Sequence, residues 1–352
     1  MANGKSEKFN HKIIMKILIT GSAGFVASSL IDYFNKYNSD ISIVGLDDFS
    51  YGYKNRLEGL NLKFLEVGIK EFTSNKKYLE SFDAVIHCAA IAPLPENEID
   101  PVKSYENNLI NTIRMADYCS KIGCPKLIFF SSGAIYENDT SFPSKEFEHK
   151  TTTLVYPTSK MCAEHALSSY SRSYGLNTVA LRLFNLYGPR QDYFRKQPPL
   201  IGYILKCLIK NETAFLYSDG KQRRDYIYIL DVFEIVKKIL FSDNKDNFIA
   251  LNIGTGNTYS VNQILEKLSE IAGKNVDIER LSASNYWDKY PKLFNRKLSL
   301  SKDLISKEVN KYSEAEISRL IDTFQYIPKV SIERGLRECY EYALKYFKRN
   351  NL

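Results

Sequence analysis

Two groups of residues in this chain have types and spacings that do chemistry. Gly21 and Gly24, with the small Ala27, recur at three-residue spacing directly after the apolar run Ile17–Thr20. Glycine at the first two positions allows a tight turn and a close approach of backbone to a pyrophosphate. A helix beginning there adds N–H groups, from Phe25 and Val26 onward, and the positive end of its dipole. Far downstream, Tyr156 and Lys160 stand four residues apart around Pro157, which marks a helix start and puts both side chains on one helix face. A free tyrosine titrates near 10, roughly three units too high for a base at neutral pH. A lysine ammonium and a positive nicotinamide ring stabilise the phenolate and lower that value. Tyr156 could then take a hydroxyl proton while hydride leaves the same carbon. Each signal is weak alone, since one Tyr-x-x-x-Lys is expected by chance among 25 tyrosines. Together they describe nucleotide-dependent redox chemistry on a sugar-like alcohol.

Other residues fit around this pair. The run Leu127–Gly133 places Ser132 at a strand tip, where its hydroxyl can hydrogen-bond the reacting oxygen; the plain alternative is a serine that satisfies the turn. The second strand ends at Leu46, followed by Asp47 and Asp48. A carboxylate there accepts both hydroxyls of an adenosine ribose and repels a 2′-phosphate, which favours NAD over NADP. Ala89 and Ala90 end another strand with small side chains, leaving room for a cofactor to pass over its tip, and His87 before them reads as structural. The six cysteines form no CxxC pair and no cluster with histidine, so no metal site is expected and a reducing compartment is.

These residues need a scaffold. Apolar strands are expected at Lys16–Thr20, Ile41–Leu46, Lys63–Val67, Ala84–Cys88, Lys126–Ser131 and Thr178–Phe184, with helices at Phe25–Tyr37, Pro101–Ile122 and Pro157–Tyr174. Continuous apolar strands alternating with helices predict a doubly wound parallel sheet covered on both faces. After Asn185 the pattern loosens into a helix at Pro198–Lys210 and strands at Arg224–Ile229 and Leu251–Thr255. Residues 1–14 are expected to be a flexible extension, residues 15–185 the dinucleotide-binding domain with the catalytic residues, and residues 186–352 mainly a substrate lobe interleaved with it. With 44% hydrophobic and 25% charged residues the composition is that of an ordinary globular protein. The net charge of +7 fits an anionic ligand or simply a lysine-rich surface, and the basic residues form no stripe that would suggest nucleic acid. No apolar run approaches membrane-spanning length, and Met1–His11 lacks the apolar core of a secretory signal, so the cytoplasm is the expected location.

With these residues in hand, the chain resembles the extended short-chain dehydrogenase/reductase family, in its nucleotide-sugar epimerase and dehydratase branch. The likeness runs from Met15 to the final helix and is carried by GSAGFVA, LDDFSYG, HCAA, PVKSYENNLINT, SSGAIY, YPTSK, LRLFNLYGPRQ, YSDGKQRRDYIYILDV and LNIGTG. It implies an α/β Rossmann-type doubly wound parallel sheet with a smaller mixed α/β substrate-binding lobe, NAD as cofactor, and a homodimer paired through the helices bearing Asn108 and Tyr156. It implies Tyr156, Lys160 and Ser132 as the catalytic set and Asn108 as a residue that positions the active site beside the cofactor. Asn185 and Arg224 would contact the substrate diphosphate. The clamping arginine of the family has no clear counterpart, and Lys289 or Arg296 are its candidate substitutes.

Departures sort the reactions. The 4,6-dehydratases carry Asp-Glu after the catalytic hydroxyl; here Gly133 and Ala134 stand there, with no acid to protonate a leaving group. The decarboxylases' glutamate and the cysteine of the 3,5-epimerases are missing too. Gly68 replaces the aspartate that contacts adenine. What remains is the machinery of 4-epimerisation, which implies an NAD-dependent isomerase acting on a UDP-hexose or UDP-N-acetylhexosamine through a 4-keto intermediate. The alternatives are a 4,6-dehydratase or a 4-ketosugar reductase on the same scaffold and, in another class, a non-catalytic NAD-binding protein. Ser282–Arg296, the stretch expected to set nucleotide and sugar, aligns poorly and leaves the substrate open.

Overall fold

Ile17, Leu18 and Ile19 are consecutive and all fully buried on strand β1 (Met15–Thr20), so apolar side chains leave both faces of the strand. Only a sheet with helices on either side can bury such a run. The computed structural model describes residues 15–148, 151–243 and 247–351; the expected extension at 1–14 lies outside the described residues. The remaining strands are β2 (Ile41–Asp47), β3 (Lys63–Glu66), β4 (Ala84–His87), β5 (Lys126–Ser132), β6 (Asn177–Leu183), β7 (Asn185–Tyr187), β8 (Ala214–Leu216), β9 (Arg223–Tyr228), β10 (Phe248–Ile253), β11 (Thr258–Ser260) and β12 (Ile278–Arg280).

Seven of these form one parallel sheet in the order β10-β6-β5-β4-β1-β2-β3. The order reverses between β1 and β4, and in open α/β sheets ligands bind in the crevice that such a reversal opens at the carboxyl ends of the strands. This is the α/β doubly wound sheet expected from the sequence. The last strand to join it, β10, comes from the loosely patterned second half of the chain. A smaller mixed sheet, β11-β9-β7, and a two-stranded one, β12-β8, lie outside it. Strand β9 pairs parallel with β7 and antiparallel with β11. Because β7 follows β6 after the single residue Phe184, the chain passes directly from the main sheet into the smaller one.

The helix expected at Pro101–Ile122 has an irregular middle. Regular α-helix at Pro101–Tyr105 and Asn111–Ile122 flanks one π turn at Glu106–Ile110, a feature that often marks functional sites. The helix carrying Tyr156 spans Val155–Tyr174 and starts two residues before Pro157. Pro157 is tolerated there because an N–H in the first helical turn has no partner within the helix.

A polar network ties that helix to the sheet. The Arg182 Nη2 to Glu164 Oε2 pair is 2.7 Å long, with side-chain exposures of 11% and 3%. Ser131 donates its hydroxyl to Glu164, and Arg182 Nη1 donates to the Tyr136 hydroxyl at 2.8 Å. Tyr136 in turn donates to Asn252 Oδ1 at 2.6 Å, and the Asn252 N–H reaches Glu146 Oε1 at 2.8 Å. Strands β5, β6 and β10 are thereby linked through one buried carboxylate. Removing one partner of such a pair strands the other charge, so Glu164→Ala should lower the free energy of unfolding by about 3–5 kcal/mol. Urea titration of the wild type and variant checks this, and a loss below about 1 kcal/mol would contradict it.

Candidate active site

Gly21 has a φ of 67°, and a Cβ on it would lie 2.8 Å from the backbone N and Cα of Ala89. The glycine turn therefore packs against the tip of β4, an approach no larger residue allows. Gly24 caps the Phe25–Tyr37 helix without a side-chain cap, and no acidic residue occupies its first turn. Its leading N–H groups are thus left for a ligand. At the end of β2, Asp47 accepts the Ala23 N–H at 2.9 Å and the Phe49 N–H at 2.8 Å. Burial raises its pKa, and those N–H groups pull it back. Asp48 accepts the Ser50 N–H, and its other oxygen lies 3.2 Å from where a Gly68 Cβ would sit. An aspartate at 68 would put two carboxylates together, which gives the glycine there a physical reason.

These parts face a cleft of about 560 Å³ lined by Gly21, Gly24, Phe25, Val26, Asp47, Asp48, Ala89, Ala90, Tyr156 and Lys160. A turn that a Cβ would fill, an uncapped helix N-terminus and a carboxylate at the tip of β2 fit a dinucleotide. One expected cofactor residue is absent from the lining. Asn108 is fully buried in the π turn, and its Oδ1 accepts the Ile91 N–H at 2.8 Å. Its Nδ2 reaches Ile91 O, Asn97 Oδ1 and Ser159 Oγ at 3.1–3.2 Å. It ties the segment after β4 to the Tyr156 helix, while its neighbours Asn107 and Asn111 line the cleft. Asn108 is a positioning residue that does not reach the cofactor space.

A second cavity, of about 630 Å³, adjoins the cleft, and Tyr156 lines both. The Ser132 hydroxyl lies near enough to the Tyr156 phenol to draw its pKa down. Ser132 Oγ accepts the Ala134 N–H at 3.1 Å, as the turn-satisfying reading of this serine requires. Protein packed around the phenol raises its pKa; Ser132 and the charge of Arg195 draw it back. Lys160 was expected to supply that charge. Instead its ammonium is buried, donates to Phe130 O at 2.8 Å and sits 4.7 Å over the Phe129 ring, and burial brings it down to about 8. Anchored on β5, it faces the cofactor cleft.

His87 is structural, as its neighbours require. Thr112 Oγ1 donates to Asn108 O at 2.7 Å, so it must accept from His87 Nε2 at 3.0 Å. Nδ1, 2.7 Å from Thr20 Oγ1, is then the acceptor, and the imidazole is neutral.

The second cavity contains Asn185, Arg224 and Lys289. The Asn185 Nδ2 donates to Asp225 O at 2.9 Å and Ser313 Oγ at 3.2 Å, which leaves its carbonyl oxygen for the cavity. Arg224 donates to Glu308 O at 3.0 Å, and burial lowers its pKa. The Lys289 side chain is exposed overall, but its ammonium sits 3.9 Å from the Tyr286 ring centre. Desolvation there, together with Lys196, brings it down to about 8. Arg296 is excluded. The Pro291–Phe294 turn before it packs on the Leu94–Ile99 helix, so Arg296 donates to Ile99 O at 3.0 Å on the exposed surface. Sequence reasoning missed Arg195, which lines both cavities from the polar stretch after β7. Its only signal is a basic residue in a connection that has to cross the mouth of the site. Among the described residues no His, Cys, Asp or Glu cluster could hold a metal ion, and no helix is long and apolar enough to cross a membrane.

The sequence model of the NAD dependent epimerase/dehydratase family matches residues 17–254. The chain is 31% identical over 259 residues to a putative UDP-glucose 4-epimerase of Methanocaldococcus jannaschii, covering 73% of this chain and 82% of that protein. It is 32% identical over 288 residues to a dTDP-D-glucose 4,6-dehydratase of Dictyostelium discoideum, covering 77% of this chain and 64% of that one. Among solved structures, the UDP-glucose 4-epimerase of Thermotoga maritima with UDP-glucose superposes with a TM-score of 0.79 at 28% identity, covering 96% of this chain and 100% of that one.

The neutral His87 makes a pH prediction. Burial, then the nearby Lys160, lowers its pKa from 6.5 to about 3. Between these values the unfolded chain binds a proton that the native state refuses. The stabilisation is therefore complete above pH 6.5 and is lost on acidification, by up to about 1.4 kcal/mol per pH unit. Urea unfolding between pH 6.5 and 4.5 should show a shallower slope for His87→Gln than for the wild type; equal slopes would contradict the assignment.

Proposed function

The chain belongs to the NAD dependent epimerase/dehydratase family, and on that premise we propose that it inverts C4 of a UDP-linked sugar through a transient 4-keto species. The observation that carries this reading is Tyr156 at the junction of two cavities, near Ser132 and a turn, Gly133–Ala134, that offers no acid. NAD, when bound, supplies the acceptor for the C4 hydride and its return. The Gly21–Gly24 turn, the N–H groups at Phe25 and Val26, and Asp47 would hold that cofactor, and Lys160 would lie along its cleft. Tyr156 takes the C4 hydroxyl proton, with Ser132 orienting the same oxygen, and gives it back after the sugar has turned in its cavity. Arg224 and Lys289 would face the diphosphate, where cationic donors form strong charge-assisted bonds.

Dehydration is the second reading, favoured by the Dictyostelium relative. It requires an acid to protonate a leaving hydroxyl; the acidic residue lining the sugar cavity is Glu308, on the Arg224 side. Residues 15–185 are read as the NAD-binding and catalytic part and residues 186–352 as mainly the sugar lobe of a cytoplasmic enzyme. Pairing of two copies through the helices of Asn108 and Tyr156 is supported by Val102 and Tyr174, which are 81% and 67% exposed on them.

Proton NMR of the protein with a panel of nucleotide sugars, without added cofactor, tests the reaction. A new anomeric signal without a methyl doublet is expected; a methyl doublet would mean dehydration. Tyr156→Phe should slow the turnover so observed by about 10²–10⁴-fold while UDP-sugar affinity in calorimetry stays within about threefold. Unchanged turnover in that variant would remove Tyr156 as the proton carrier.

A further inference from the structure

We propose that Arg195 reads a carboxylate on the sugar, so that the substrate is a UDP-linked hexuronic acid in preference to a neutral hexose; this rests on the C4-epimerase reading above. Position is the first argument. Among the described residues Arg224, Lys196 and Lys289 line only the sugar cavity, and Lys160 and Arg56 only the cofactor cleft. Arg195 is the one cation that lines both, as Tyr156 does. A carbon that gives its hydroxyl proton to Tyr156 and its hydride toward the cleft must sit at that junction. Arg195 therefore reaches the reacting end of the sugar, as well as the Tyr286 side of the cavity that it shares with Lys289.

Its hydrogen bonding is the second argument. Arg195 Nε donates to Gln197 O, and no protein acceptor meets its four Nη N–H groups among the described residues. No carboxylate comes within the 4.0 Å of an ion pair there either. The adjacent Asp192 is occupied by the Tyr53 hydroxyl and the Phe194 and Arg195 N–H groups, all at 3.2 Å. Protein around the guanidinium strips it of water and lowers its pKa, and Asp192 and Glu96 only partly oppose this. A partly desolvated guanidinium whose Nη1/Nη2 edge is free is costly to keep without a planar anion to receive it.

Ligand chemistry supplies that anion. Arg224 and Lys289 match the two charges of a diphosphate. A hexuronic acid carries a further negative charge at C6, two bonds from C4, in the planar geometry that a guanidinium binds bidentately. A neutral hexose presents only a hydroxyl there, and sites built for a polar group discriminate strongly against analogues lacking it.

The test compares kcat/KM for UDP-glucuronate and UDP-glucose by NMR in the wild type, Arg195→Gln and Arg195→Lys, with bound NAD measured in each. The wild type should favour the uronate by at least about 100-fold. Arg195→Gln should collapse that ratio by a similar factor, and Arg195→Lys should keep part of it. Equal rates on both sugars in the wild type would overturn the proposal, and this arm needs no variant to fold. So would an unchanged ratio in Arg195→Gln, even where both sugars slow through the phenolate that its charge favours. Loss of bound NAD with an unchanged ratio would place it on the cofactor instead. Absence of epimerisation with every UDP-sugar would fail the underlying reading, a result distinct from turnover of the neutral sugar alone.

Discussion

The protein that encloses the Tyr156 hydroxyl works against the proton transfer proposed for it. Desolvation raises the phenol above its ordinary value near 10, the wrong direction for a base at neutral pH. What surrounds Tyr156 can be read as compensation. Nearby Ser132 and the Arg195 charge both favour its ionised form. A helix N-terminus also favours negative charge, and Tyr156 stands in the first turn of its helix. That last contribution is blunted, because Glu98 accepts the Val155 N–H at 2.6 Å and Glu137 accepts the Leu154 N–H at 3.1 Å. The helix cap Leu154 has no side chain able to cap, so the two carboxylates replace it from other segments. Stability of the helix start and acidity of the tyrosine pull in opposite directions at this point. Ser132 and the Arg195 charge offset the desolvation only in part, and the phenol stays above its ordinary value.

The same helix joins chemistry to stability. Tyr156, Lys160 and Glu164 recur every four residues and so share one face. Tyr156 opens onto the cavities, Lys160 is held by the Phe130 carbonyl, and Glu164 is locked against Ser131 and Arg182. Ser131 and Ser132 are adjacent on β5, one fixing the helix from inside the sheet and the other near the phenol. The distance between Tyr156 and Ser132 is therefore controlled by a buried ion pair two turns away. Asn108 and Ser159 set the third side of the frame, through a π turn that adds one residue where the helix passes the end of β4. Catalytic geometry of this kind cannot be loosened without exposing or stranding a charge.

Much of this was legible in the sequence because short-range rules set it. Continuous apolar runs gave the strands, and Gly21 with its φ of 67° and Asp47 at the tip of β2 lie where a turn and a strand end had to be. Four-residue spacing put Tyr156 and Lys160 on one face, and His87 among apolar neighbours was rightly taken as structural. The misses share a cause. Asn108 is expected beside the cofactor because the family carries an asparagine in that helix; the π turn buries it as a positioning residue and brings Asn107 and Asn111 to the cleft. Arg296 was assigned to the substrate because a basic residue was wanted late in the chain. Whether it reaches the cavity depends on how the Pro291–Phe294 turn packs against the Leu94–Ile99 helix, a contact between segments nearly 200 residues apart with no local signature.

Arg195 shows where such a reading ends. Its surroundings are assembled from four separate segments: Tyr53 after β2, Glu96 after β4, Tyr156 on its helix, and Tyr286 and Tyr290 in the sugar lobe. The sheet holds the first three at the switch point between β1 and β4, and the smaller lobe brings the last two across from the other side. A cation placed where these meet touches the cofactor space, the base and the sugar space together. The main sheet sets the cofactor cleft beside the Tyr156 phenol, so that a hydride from carbon and a proton from its hydroxyl oxygen, the two losses in oxidation of any secondary alcohol, can go to different partners. On the proposal made for Arg195, which alcohol is accepted depends on the loop after β7, whose side chains answer to no periodicity and whose contacts come from segments far apart in the chain.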